Sequence, residues 1–176
     1  MSAEDLARER LAAAQSAFLQ ALAGGGTVPE GFNAERIRVA GQSLAAKRMR
    51  SVARAWPALT AMLGDTFASR FASFAAANPL PRQGGPLADG RAFARTLAPG
   101  KWGRFANTWD ANSDKARLEI MAVDLHYRST RHDGGLVPKR WPAIRMGFLP
   151  KARRGVLAIR LPFGGEHWLS VPLPWL

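Results

Sequence analysis

The stretch Ala53–Phe67, ARAWPALTAMLGDTF, decides how the first half of the chain is read. It sets a Trp-Pro step and a Leu-Gly-Asp step a few residues apart. Pro57 cannot continue a helix arriving from Trp56, but its fixed φ suits the first turn of a new one. Trp56-Pro57 therefore reads as a corner, with Trp56 as its apolar plug. The spacing predicts a short helix over 57–63. Gly64 ends it and Asp65 is placed to cap the next. That next helix carries Phe67, Phe71, Phe74 and Ala75 at i, i+4, i+7 and i+8, a strong apolar stripe.

Upstream, residues 3–23 read as a helix. Ser2 and Asp5 make a capping-box-like start, Leu11, Gln15, Phe18 and Leu22 share a face, and Gly24-Gly25-Gly26 ends it. Asn33 is placed to cap a second helix from Ala34 to about Ala55, with Ile37, Ala40, Leu44, Ala45, Val52 and Trp56 as its apolar positions. Downstream, Asn78-Pro79 stops the Phe-rich helix. A Pro/Gly-rich loop leads to Asp89, read as the cap of a helix holding Gly90, Phe93 and Leu97. The first half is expected to be an all-helical bundle.

Pro99-Gly100 marks the expected boundary, with Trp102, Phe105 and Trp109 anchoring a linker. A helix is predicted from Ser113 to about Tyr127, then a polar loop over 128–140. The period then changes to that of strands, at 142–149, 156–162 and 166–173. The last two flank Gly164-Gly165, the positive-φ step of a tight hairpin. The expected fold is α+β. A helical domain (1–100) is followed by a domain (101–176) of one helix and a three-stranded antiparallel sheet.

Composition narrows the function. Hydrophobic residues make up 47% of the 176, enough for a packed core. With no Cys, disulfides, thiolate metal sites and a Cys nucleophile are excluded. No apolar h-region follows the polar start, and no apolar run reaches membrane-spanning length, so a cytoplasmic protein without membrane contact is expected. The net charge of +12 favours polyanions or an acidic protein partner. It is spread over both halves, with 12 Lys/Arg against 7 Asp/Glu in residues 1–100 and 13 against 6 beyond.

No catalytic set emerges. His126, His132 and His167 do not form a ligand pattern, and GxSxG, SxxK and HExxH are absent. Asp65, Asp89 and Asp114 are each read as helix caps. No enzyme, cofactor or metal is expected. Two binding readings remain. Arg36, Arg38, Lys47, Arg48, Arg50 and Arg54 stud the second helix and can line a phosphate backbone, the nucleic-acid alternative. The C-terminal sheet offers an edge that can accept an extended peptide. Residues 156–162 are expected to be central, and Pro172 and Pro174 remove donors from the last strand. The favoured edge is therefore Ala143, Ile144, Arg145, Met146, Gly147, Phe148 and Leu149, with Arg145 available to an acidic side chain.

The series Arg50…Arg54-Ala55-Trp56-Pro57-Ala58-Leu59…Leu63-Gly64-Asp65-Thr66-Phe67…Phe71…Phe74, then Asn78-Pro79 and Leu87-Ala88-Asp89-Gly90…Phe93, resembles the helical "putative DNA-binding domain" of bufferin-type maturation partner proteins. The resemblance covers residues 8–97. The second half, through VLAIRLP and HWLSVPL, looks like the actinobacterial version. The resemblance implies a non-catalytic partner of a multinuclear non-haem iron oxygenase of TIM-barrel fold. Its helical domain would dock the enzyme. The protein would help present a ribosomally made precursor peptide for modification (RiPP biosynthesis). Within it, Trp56, Pro57, Leu63, Gly64, Asp65, Phe67, Asp89, Gly90 and Phe93 are structural.

Overall fold

Capping chemistry sets the first helices. Ser2 and Asp5 exchange reciprocal bonds, Ser2 N–H to Asp5 Oδ2 at 2.8 Å and Asp5 N–H to Ser2 Oγ at 3.2 Å, which opens α1 (Ala3–Leu22). Asn33 Oδ1 accepts the Arg36 N–H at 2.9 Å and opens α2 (Ala34–Ala55). Then follow α3 (Pro57–Leu63), α4 (Thr66–Ala77), α5 (Gly85–Leu97) and α6 (Ala111–His126). Five strands complete the order: β1 (Tyr127–Ser129), β2 (Leu136–Pro138), β3 (Ala143–Leu149), β4 (Arg154–Leu161) and β5 (Gly165–Pro172). This computed structural model describes residues 2–22, 26–97, 111–130, 134–162 and 165–173. Gly24-Gly25, Pro99-Gly100, Trp102, Phe105, Trp109, His132, Gly164, Pro174 and Trp175 lie outside the described residues.

The expected α+β class holds. The chain divides into two compact units, neither of them a single continuous stretch. One unit is Met1–Arg50 with Ala68–Pro79, and the other is Ser51–Phe67 with Leu80–Leu176. The helices α3 and α5 group with the sheet because α6 holds both by polar contacts. Glu119 accepts the N–H groups of Ala58 and Leu59 on α3. Arg91 on α5 pairs through two 2.7 Å bonds with Asp124.

In the first unit, α1 buries only Ala21, so its predicted stripe stays open at Leu11, and Leu6 and Leu19 are exposed as well. Phe18 meets Phe32 with ring centroids 5.0 Å apart. A Cβ on Gly41 would lie 2.5 Å from the Leu22 carbonyl oxygen, so glycine allows the close approach there. Phe71, Phe74 and Ala75 are buried, as their spacing predicts.

The second unit is organised around Trp56, which is fully buried. The predicted corner is present: Pro57 opens α3, and Gly64 closes it at φ +50° and ψ −133°, donating its N–H to Thr60 O. Phe67 packs edge-on against Phe93, with centroids 6.0 Å apart. Below them, α6 covers one face of a three-stranded antiparallel sheet of order β3-β4-β5. Leu125, Ala143 and Ala158 form the contact, with Met121 beside them.

Three expectations need correction. Asp89 does not cap α5, which begins four residues earlier at Gly85; Asp89 sits fully buried within the helix. Asp114 does not cap α6 either. That helix begins at Ala111, and the buried Asp114 carboxylate accepts the N–H groups of Lys151 (3.4 Å) and Ala152 (2.9 Å) in the β3–β4 turn. The polar segment read as a loop over 128–140 contains a two-stranded ribbon, β1 with β2, registered Tyr127↔Pro138 and Ser129↔Leu136. Leu136 is buried, and its N–H reaches Gln83 O at 3.1 Å, so the ribbon is anchored by tertiary contact. Its three-residue strands are too short to show a period.

Candidate peptide-binding edge

Strand order gives the candidate site its form. β4 is central, paired Ile144↔Ile159 and Met146↔Leu157 on one side and Leu157↔Leu169 and Ile159↔His167 on the other. β3 and β5 are therefore the two edges of this sheet, and an edge strand carries N–H and C=O groups that no neighbour satisfies.

Alternation splits the seven favoured residues between two faces. Ala143, Arg145, Gly147 and Leu149 face α6. Ala143 and Leu149 are buried, and a Cβ on Gly147 would lie 2.4 Å from Met121 Sδ. That close approach seats β3 against the helix. Ile144, Met146 and Phe148 face the other way, with Ile144 58% and Met146 82% exposed. Arg145 is exposed, and its Nη1 reaches only as far as the Ile144 carbonyl, at 3.2 Å.

The ends of the sheet are tied down by charge. Arg160 donates to Lys139 O at 2.7 Å and Trp141 O at 2.8 Å, holding the segment that enters β3. Lys139 donates to the Asp124 carbonyl. Burial lowers the Lys139 ammonium from its usual range, nearby Arg145 and Arg160 lower it further, and Asp124 opposes them. Glu166 on β5 pairs with His126 and accepts the Trp168 Nε1–H at 3.1 Å. These bonds, Trp168 first, hold its carboxyl below the usual range. Of the Trp residues of the second half, Trp141 is 80% exposed and Trp168 is also exposed, so neither is enclosed by the α6 packing.

The structural motif residues behave as one packed element. Trp56 donates its indole N–H to Pro86 O at 3.2 Å. Gly90 stands so close to that ring that a Cβ would be 2.1 Å from Trp56 Nε1. Leu63, Phe67 and Phe93 are buried, while Pro57 and Asp65 are exposed.

The cations of α2 are less uniform than the sequence suggests. Arg48 is drawn into the fold: its Nη1 donates to Ala75 O (3.2 Å) and Asn78 O (2.8 Å) at the end of α4, and its guanidinium lies over Phe71 and Phe74. Arg38 pairs with Glu35. Arg36, Lys47, Arg50 and Arg54 are exposed.

Sequence reasoning missed the role of Glu119, whose carboxylate serves residues some sixty positions away. Among the described residues no group of His, Asp and Glu is arranged to hold a metal, and no described helix is long and apolar enough to cross a membrane.

Residues 12–99 match the family model described as SCO6045-like, C-terminal domain. The chain belongs to the SCO6045-like family. The matched region holds the Trp56-Pro57 corner, the Gly64 stop and the Gly90–Trp56 contact. A "UPF0276 protein" of Streptomyces avermitilis is 42% identical over 93 residues, covering 53% of this chain. The match takes up 19% of the relative, so the chain spans only a small part of that protein's length. No solved structure matches the chain.

Proposed function

We propose that the chain is a non-catalytic accessory protein. It binds a multinuclear non-haem iron oxygenase of TIM-barrel fold and presents a ribosomally made precursor peptide to it. The carrying observation is the open edge of β3, which leaves one exposed cation, Arg145, between the buried Ala143 and the tightly packed Gly147. Two further points support it. The resemblance of residues 8–97 to bufferin-type partners supplies the oxygenase. In the relative from Streptomyces avermitilis the similar segment is one part of a much longer chain, as expected of a domain that works beside a larger one.

The edge sets what the peptide must look like. An added strand places alternate side chains beside Ile144, Met146 and Phe148, and the rest beside Ala143, Arg145 and Gly147. The peptide therefore alternates apolar residues with small ones and places Asp or Glu opposite Arg145. The test is to express the chain with an iron oxygenase and a short precursor encoded beside it, and to follow mass change of the precursor and hydrogen exchange of the chain. Modification should depend on the chain, and protection should appear over 143–149. Equal modification without the chain, or protection confined to residues 1–97, overturns the reading.

A further inference from the structure

The sheet has a second face, and among the described residues most of its apolar side chains are exposed. Register and alternation place Ile144 and Met146 of β3, Leu157 and Ile159 of β4, and Leu169 and Val171 of β5 on the side away from α6. Met146 is 82%, Ile144 58%, Leu169 56% and Val171 59% exposed. No Lys or Arg stands among the paired residues of this face. The surrounding sequence is strongly basic: residues 139–173 hold seven Lys/Arg and a single Glu, with Lys151, Arg153 and Arg154 at one turn and Arg140 at the opposite end of β3.

We propose that this face takes an acidic amphipathic helix from a partner polypeptide, which completes a helix–sheet–helix sandwich with α6 on the other side. Three strands about 4.8 Å apart make a face about 10 Å wide, the diameter of one helix. A strand the length of β3 spans about 23 Å, room for a helix of about 15 residues. Apolar side chains at i, i+3, i+4 and i+7 meet the face, and carboxylates toward the two ends of the helix meet the basic residues at the two ends of β3. Charge argues against a second copy, since each chain carries +12. The open β3 and β5 edges argue against a lipid surface, where unpaired backbone groups are costly. The inference stands apart from the oxygenase reading. It uses β5, which the β3 edge does not need.

The test uses the full chain and a labelled synthetic peptide of about 15 residues, Leu at the helical positions and Glu elsewhere. A twin with Lys for Glu and a scrambled version are the controls. Fluorescence anisotropy should show saturable binding of the acidic peptide only. Leu169→Ser, Val171→Ser and Met146→Ser should each weaken it roughly tenfold, with circular dichroism unchanged. Leu169 and Val171 decide the matter, because they are remote from the β3 edge and their loss leaves strand addition intact. The proposal is overturned by equal binding of the Lys twin, or by Ser variants that bind as well as the parent. It is also overturned if the chain instead sediments with anionic vesicles of phosphatidylcholine and phosphatidylglycerol, or forms a dimer that Leu169→Ser dissolves.

Discussion

The carboxylate of Glu119 on α6 accepts the backbone N–H of Leu59 at 2.9 Å, and so closes the N-terminus of a helix far away in sequence. α3 needs such a partner. Pro57 has no N–H to satisfy, Trp56 supplies no side-chain cap, and the N–H groups of Ala58 and Leu59 are left over. Burial raises the Glu119 carboxyl above its ordinary 4.5, while the bonds from Leu59 and Ala58 pull it partly back. A raised carboxyl favours the protonated form in the folded state. Its contribution is complete below the unfolded value and is lost as pH rises through the folded one. Glu119→Gln cannot ionise. The stability of the parent relative to this variant should therefore fall as pH rises above the ordinary 4.5 in urea melts. A difference that grows with pH would mean that the N–H bonds outweigh burial.

Gly90 and Trp56 form the tightest contact of the motif. Gly90→Ala forces a Cβ into the indole and should cost about 1–3 kcal/mol. Trp56→Ala should cost about 3–5 kcal/mol, as expected for a large ring removed from a full core. The double variant Gly90→Ala/Trp56→Ala should lose less than the two single losses added, because the smaller side chain makes room. Strict additivity in chemical denaturation would show that the contact carries no strain.

Asp114 fastens the β3–β4 turn to α6 through the N–H groups of Lys151 and Ala152. Asp114→Ala should destabilise by about 1–3 kcal/mol and should speed amide exchange at Lys151 and Ala152 first. Uniform acceleration across the sheet would point to general unfolding instead.

Arg48 acts as a C-terminal clamp on α4, with its guanidinium over two rings and two carbonyls in reach. Arg48→Gln should cost about 1–2 kcal/mol. Lys47→Gln, at an exposed neighbour, should stay within about 0.5 kcal/mol. Equal midpoints for the two variants would mean that the clamp adds nothing to stability.

The β3 edge can be tested by its own alternation. Arg145 and Met146 are adjacent, so one N–H turns toward β4 and the other toward the open edge. Of Arg145→Pro and Met146→Pro, one should unfold the sheet and the other should leave the melt nearly unchanged. The tolerated variant should lose precursor binding. If it binds the precursor as well as the parent, the strand does not recruit the peptide.

Much of the helical half was legible because its signals are local. Ser2 with Asp5, Asn33, Pro57 and Gly64 each act on backbone groups within a few residues, so their spacing alone placed the helix ends. The three strands of the sheet were legible from their period and from the Gly-Gly turn. Three things were decided only in the tertiary structure. Asp89 and Asp114 look like caps in sequence, yet one is buried inside a helix and the other reaches 38 residues to Ala152. The ribbon of β1 and β2 depends on Leu136 finding a buried place and a backbone partner at Gln83. α3 and α5 join the sheet through Glu119 and Asp124, which no local pattern announces. The division has a physical cause. Caps, turns and periodicity are properties of neighbouring residues and are written in their order. A carboxylate's choice among distant N–H groups, and the face a sheet leaves uncovered, depend on which elements meet in space.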